Sequence, residues 1–140
     1  AAIARALIGD LASEHLLVFF LTAASCPIGY EIYTYGARAH VAVDPPGLIR
    51  AVIVSGADSF VTVHNHPSGR ALPSAADESV WAELDKRAEA VGLHHLDDLV
   101  LGVDVYWSRF ERRATPFARA GGAAPAGLGS YFGRQRKKRR

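Results

Sequence analysis

His64 ends the apolar segment Phe-Val-Thr-Val-His, and His66 follows it after one residue, Asn65. Alternate side chains of a strand point to the same face, so both imidazoles can reach one point while Asn65 points away. Ser74 and Asp77 follow a loop rich in proline and glycine and begin a predicted helix. A short loop would return Asp77 towards the end of the strand, where its carboxylate can approach the two imidazoles.

The donor set of two imidazoles and one carboxylate suits zinc. Neutral histidine and aspartate bind zinc at about 2.0–2.2 Å, and three protein ligands leave a fourth position for water, as in catalytic sites. Bound zinc would lower the pKa of that water from about 15.7 towards about 7. The sequence therefore predicts one zinc ion per chain, held by His64, His66 and Asp77.

Hydrolysis at such a site also needs a general base and a donor for the developing oxyanion. Glu14 directly precedes the first strongly apolar segment and is our candidate base, although a glutamate in that position is often only solvated. Ser74 is our candidate for the oxyanion, although Ser-x-x-Asp is also the pattern of a helix capping box. We interpret His15, which follows Glu14, as structural.

A second group of metal-ligand types lies at His94, His95, Asp97 and Asp98. Consecutive residues of a strand point in opposite directions, so at most alternate members converge, and we interpret this group as the polar start of a strand. The single cysteine, Cys26, is expected to be buried or in a turn. One cysteine excludes an internal disulfide, a multi-cysteine zinc module and the Pro-Cys-x-x-Cys pair of a cytidine deaminase.

Hydrophobic periodicity predicts the elements that would position these residues. We expect helices over residues 2–12, 45–55 and 74–92, and strands over residues 16–21, 28–34, 60–64, 96–101 and 103–107, with 39–43 as a hairpin partner of the second strand. The first helix would bury Ile3, Leu7, Ile8 and Leu11, and the last would bury Val80, Trp81, Leu84, Ala88 and Val91. Interleaved helices and strands predict an α/β fold.

The apolar run over residues 15–24 has an alternative interpretation as part of a secretory or lipoprotein signal. Asp10 and Glu14 precede this run with only Arg5 as a positive charge, whereas a signal peptide needs a positive start, so we favour a buried strand. No apolar run approaches the roughly 20 residues of a membrane-spanning helix, and we expect no membrane partner.

Charge divides the 140 residues into an acidic body and a basic tail. Residues 1–108 carry 6 Lys and Arg against 13 Asp and Glu, whereas residues 109–140 carry 10 against 1. From about Arg112 the hydrophobic pattern dissolves, so we expect a domain over residues 1–111 and a basic tail over 112–140. The run Arg134–Arg140 is predicted either to bind nucleic acid through its phosphates or to be a solvated terminus.

The combined pattern resembles a known family. Glu14, then His64-x-His66, seven residues and Ser74-x-x-Asp77 resemble the JAMM signature of MPN+ metalloproteases. The longer string His-Asn-His-Pro-Ser-Gly, followed by Pro-Ser-x-x-Asp, resembles the RadC branch of bacterial JAB domains, and the resemblance covers about residues 3–111. This chain has Asp97-Asp98 where the family usually has an Asp-His pair.

The resemblance implies a mixed β-sheet flanked by helices, in the three-layer architecture of cytidine deaminases. It implies a zinc-dependent hydrolase of peptide or isopeptide bonds, with zinc on His64, His66 and Asp77, Glu14 as base and Ser74 at the oxyanion. It also implies a bacterial, cytoplasmic protein and a link to DNA repair. The alternative hypothesis is a catalytically silent DNA- or RNA-associated module that binds through the basic tail.

Overall fold

The computed structural model describes residues 1–34 and 44–117. Its strands are β1 (His15–Leu21), β2 (Pro27–Thr34), β3 (Ser59–Asn65), β4 (His94–Leu101), β5 (Val105–Ser108) and β6 (Arg113–Pro116). Its helices are α1 (Ala2–Ala4), which continues as a π-helical turn over Arg5–Gly9, α2 (Pro45–Val54) and α3 (Ala75–Ala90). The predicted strand at residues 39–43 and the basic run Arg134–Arg140 lie outside the described residues.

The six strands form one mixed sheet in the order β2-β1-β3-β4-β5-β6. β3 and β4 are parallel and are connected through α3, whereas the other neighbouring pairs are antiparallel. All seven residues of β1 and all seven of β3 are buried, which agrees with their long apolar runs. The predicted α/β fold with a mixed sheet flanked by helices is confirmed.

Each face of the sheet has its own hydrophobic cluster. On one face, α2 and α3 pack over alternate residues of β1 and β3: the cluster includes Leu48, Ile49, Val52, Leu84, Ala88, Leu16, Val18, Phe20 and Phe60. On the other face, Ala4 and Ile8 from the N-terminal segment pack on Leu17, Phe19, Leu21, Val61, Val63, Leu99 and Leu101. The sheet therefore lies between two layers, and the central strands β1 and β3 contribute to both clusters.

The N-terminal segment differs from the predicted helix over residues 2–12. Helical structure ends at Gly9, and only Ala4 and Ile8 of this segment are fully buried, while Ile3 and Leu11 are exposed. The physical reason is a tertiary hydrogen bond, because the Leu11 carbonyl accepts from the side chain of Asn65. The chain therefore leaves the helix early and crosses the end of β3.

Two further predictions needed correction at element ends. Val91 is 50% exposed rather than part of the buried helix face, because α3 ends at Ala90 and Gly92 turns the chain with φ of +74°. The strand predicted over 103–107 is shifted to Val105–Ser108, since the Val103 N–H instead donates to the carbonyl of Gly69.

The sheet also extends past the boundary predicted at residue 111. β6 pairs with β5 from Arg113 to Pro116, although its residues lack apolar alternation and most are exposed. An edge strand of this kind is held by backbone hydrogen bonds rather than by side-chain burial. Cys26 is exposed in the connection between β1 and β2. In the parts of the chain that the structure describes, no helix has the length and hydropathy needed to cross a membrane.

The residues His94, His95, Asp97 and Asp98 form the polar start of β4, as predicted, but all of them except His94 are buried. Asp97 and Asp98 are 3% and 0% exposed, respectively. Asp97 accepts from the Ser108 hydroxyl at 2.7 Å and from the Phe110 N–H at 2.9 Å. Asp98 accepts from the Thr62 hydroxyl and pairs with Arg109 at 3.1 Å. The residues are buried because donors from distant parts of the sequence meet their carboxylates.

His95 completes this ionic network. Its Nδ1 lies 2.7 Å from Asp85, its Nε2 lies 2.9 Å from Asp98, and its ring stacks on Phe60 at 4.5 Å between centroids. Burial alone would lower the pKa of His95, but Asp98 and Asp85 outweigh it and raise the pKa to about 9. The imidazole is therefore charged at neutral pH, and together with Arg109 it balances the charges of Asp85 and Asp98.

The raised pKa of His95 predicts a loss of stability at alkaline pH. The stabilising contribution is complete below the unfolded pKa of about 6.5 and is lost as pH rises through about 9. Denaturant unfolding between pH 6 and pH 10 should show the fall, which His95→Gln should largely abolish. At neutral pH that variant should be less stable by about 3 kcal/mol, because it breaks a buried ion pair. If the free energy of unfolding depended on pH equally in the wild type and in His95→Gln, the raised pKa of His95 would be contradicted.

Candidate metal centre

The three predicted metal ligands meet at the carboxyl end of β3. His64 and His66 bring their Nε2 atoms to 3.0 Å from each other. The Asp77 carboxylate lies 3.4 Å from His64 Nε2 through Oδ1 and 3.5 Å from His66 Nε2 through Oδ2. The strand and the first turn of α3 therefore bring together residues that are up to 13 positions apart in the sequence.

These separations fit a tetrahedral metal ion. Ligands that lie tetrahedrally at about 2.0–2.1 Å from zinc are about 3.3–3.4 Å from one another. The Nε2 atoms are 3.0 Å apart, and the Asp77 carboxylate lies 3.4 Å from one of them through Oδ1 and 3.5 Å from the other through Oδ2, all close to that value. The side chains of His66 and Asp77 are 17% and 15% exposed, so solvent reaches the cluster from one side.

A backbone contact fixes the orientation of His66. Its Nδ1 lies 3.1 Å from the carbonyl oxygen of Arg70, which can only accept, so Nδ1 carries a proton and Nε2 faces the other predicted ligands. The loop that carries Arg70 packs tightly on the end of β4. A Cβ on Gly102 would lie 2.7 Å from the Gly69 oxygen and 2.9 Å from the Ala71 nitrogen, so only glycine allows this approach.

Asp77 uses both carboxylate oxygens. Oδ2 accepts from the N–H and the hydroxyl of Ser74, each at 2.6 Å, and Ser74 Oγ accepts in return from the Asp77 N–H. This is a full capping box at the start of α3. Burial would raise the pKa of Asp77, but hydrogen bonds from His64, His66 and Ser74 hold it well below its usual range. The carboxylate is therefore ionised, as a metal ligand must be.

The two interpretations of Ser-x-x-Asp are thus compatible in one structure. The carboxylate of Asp77 caps the helix through Oδ2 and faces the two imidazoles through both of its oxygens. The Ser74 hydroxyl is engaged by Asp77. The same Asp77 raises the pKa of His66, chiefly through its hydrogen bond.

Glu14 reaches the same point from the start of β1. The four side chains each bring one ligand atom to within 4.8 Å of the others: Glu14, His64, His66 and Asp77. Glu14 is therefore close enough to act on a molecule bound among the three ligands. His15, its neighbour, is buried and its Nδ1 contacts the Ser13 carbonyl at 2.8 Å, which agrees with a structural role.

Two supporting features were not predicted from the sequence. The buried ring of Trp81 lies 6.1 Å from the His64 ring and stacks on Trp107 at 5.8 Å. The buried side chain of Asn65 contacts the segment that carries Glu14. The helical periodicity of Trp81 showed that it is buried but not which side chain it would meet, and Asn65 gave no signal beyond pointing away from the histidines.

Comparison with known proteins agrees with this geometry. Residues 1–114 match the profile of the RadC-like JAB domain family. The chain belongs to that family. It is 35% identical over 101 residues to a UPF0758 protein of Chlorobaculum parvum, covering 72% of this chain and 46% of that relative.

Other RadC-family relatives show the same extent of similarity. A UPF0758 protein of Carboxydothermus hydrogenoformans is 32% identical over 101 residues, covering 72% of this chain and 45% of the relative. One from Finegoldia magna is 34% identical over 94 residues, covering 67% and 42%. The chain therefore spans about half the length of the curated relatives it matches, and the similarity lies in the part that contains the candidate metal centre.

The metal ligands predict a defined stoichiometry. Protein purified without chelators and supplied with zinc should bind about one ion per chain by elemental analysis, as expected for a single three-ligand site. Asp77→Asn should lose most of this metal, because it replaces the ionised ligand. Glu78→Gln changes the neighbouring acidic residue in the first turn of α3 and is the matched control. Equal zinc in the Asp77 variant and the control would exclude Asp77 as a ligand.

Proposed function

We propose that this RadC-family domain is a zinc-dependent hydrolase of peptide or isopeptide bonds. The observation that carries the proposal is the convergence of two imidazoles and one ionised carboxylate, with a second carboxylate, that of Glu14, beside them. JAB domains include metalloproteases, which supports an amide substrate. A bacterial cytoplasmic location and a link to DNA repair are parts of the same proposal that follow from the family.

In this proposal the roles of the residues follow from their positions. Zinc would be held by His64, His66 and Asp77 and would supply polarisation of a carbonyl and acidification of a water molecule. Glu14 accepts the proton of the attacking water and then donates it to the leaving amine. The hydroxyl of Ser74 exchanges its acceptor, the Asp77 oxygen 2.6 Å away, for the developing oxyanion.

The role of Glu14 predicts a separation of metal binding from turnover. Glu14→Gln keeps the shape of the side chain and should retain about one zinc ion, because the three ligands are untouched. Its kcat should fall about 10²- to 10⁴-fold, the usual contribution of a general base. The measurement is turnover of peptide and isopeptide-linked substrates found by screening the wild-type protein.

The matched control for this variant is Asp10→Asn. Asp10 is an exposed carboxylate four residues earlier on the same segment, so it tests the loss of a negative charge near the site without the loss of the base. Full activity of Glu14→Gln would show that Glu14 is not the base. Loss of zinc in Glu14→Gln would instead indicate that Glu14 is a metal ligand.

A second function concerns the basic run at the end of the chain. We propose that Arg134–Arg140, in which six of seven residues are cationic, binds DNA or RNA through the phosphates. Such binding should tolerate any sequence, because phosphate contacts carry no base information.

Deletion of residues 134–140 tests this contact. Affinity for a short duplex of random sequence, measured by fluorescence anisotropy, should fall at least tenfold at low salt, and wild-type affinity should decrease steeply as salt rises. Replacing the six cationic residues by Ser in a chain of full length separates charge from length. Affinity that survives both changes would assign nucleic-acid binding to another part of the chain.

A further inference from the structure

Asn65 occupies the middle of the His-Asn-His tripeptide, with its side chain on the opposite face of β3 from the two histidines. It is 1% exposed, and its amide makes three hydrogen bonds to backbone that lies at least 50 positions away. The carbonyl oxygen Oδ1 accepts from the His15 N–H at 2.7 Å. The Nδ2 amide donates to the carbonyls of Leu11 and Ser13, each at 3.1 Å.

These three bonds, which we call the Asn65 clamp, lie on both sides of Glu14. Glu14 lies between the bonded positions Ser13 and His15, so the clamp holds the backbone on both sides of its carboxylate. That backbone is not helical or paired before His15, where β1 begins. The clamp is therefore the specific polar contact between the Glu14 segment and the strand that carries the histidines.

We propose that Asn65 is a positioning residue that sets the distance between Glu14 and the metal ligands. The tripeptide holds two of the ligands with its outer residues and the base-carrying segment with its middle residue. A displacement of β3 would thus move the ligands and the base together. This inference rests on the proposed hydrolase, in which Glu14 is the general base.

The chemistry of the side chain supports this role. An amide offers one acceptor and two donors at once, and the clamp uses all three functions. Because the His15 N–H needs an acceptor and the two carbonyls need donors, the partners themselves determine which end of the amide is oxygen. Aspartate would keep the acceptor but face two carbonyls with negative charge, and serine would offer only one donor proton.

Hydrogen exchange tests the clamp without a substrate. Zinc-loaded Asn65→Ala should exchange the His15 amide, the only backbone N–H in the clamp, about tenfold faster or more, because its acceptor is lost. Asn65→Asp should also accelerate this exchange, because its negative charge repels the carbonyls of Leu11 and Ser13. Zinc content should remain at the wild-type value. Val61→Ala removes a buried side chain from the same face of β3 and is the matched control for general destabilisation. Unchanged exchange in both Asn65 variants, or equal acceleration in the control, would overturn the proposal.

A double-mutant cycle then tests the path through Glu14. Asn65→Ala should lower kcat about 10- to 100-fold with little change in KM, a smaller effect than full removal of the base. Combined with Glu14→Gln it should lower kcat no further than Glu14→Gln alone, because residues that act through one group are not additive. If the loss of kcat in the double variant equalled the product of the two single losses, Asn65 would act independently of Glu14. The exchange result decides the clamp even if no hydrolysis is found, so the two proposals can fail separately.

Discussion

The close approach of two imidazoles and a carboxylate, each pair of side chains within 3.5 Å, is the constraint on which the candidate site depends. Lone pairs of two imidazoles and a carboxylate repel one another unless a cation or a proton lies among them. The protein holds them together with elements that cannot relax apart. β3 is a central strand buried on both faces, and the Asp77 carboxylate is fixed by two hydrogen bonds from Ser74. The stability of the fold thus maintains an arrangement that is locally unfavourable without a ligand.

The only parallel pair in the described part of the sheet explains how Asp77 reaches the histidines. A β-α-β connection between β3 and β4 places the first turn of α3 directly after the carboxyl end of β3. A helix start favours a carboxylate electrostatically, so Asp77 is stable there before any metal is considered. The same carboxylate therefore caps the helix and faces both histidines. The connection from β3 through α3 to β4 therefore adds β4 to the sheet and also brings Asp77 close to the two histidines.

The sequence predicted the parts of the structure that depend on local pattern. Alternation along a strand was enough to place His64 and His66 on one face with Asn65 on the other. The sequence-based prediction failed where contacts between residues far apart in the sequence determine the structure. The N-terminal helix ends early because Asn65 bonds to Leu11, and Asp98 is buried because Thr62 and Arg109 reach it. β6 was not predicted because this exposed edge strand has no alternation of hydrophobic residues in its sequence.

Asp98 shows how the fold accommodates a charge in its interior. A wholly buried carboxylate requires cations close to it. His95 and Arg109 both supply them, at 2.9 and 3.1 Å. The Arg109 guanidinium also lies over the ring of Trp81, at 5.5 Å, and Trp81 in turn packs beside His64. The ionic network therefore reaches the candidate metal centre through Trp81, because the ring of Trp81 lies between Arg109 and His64.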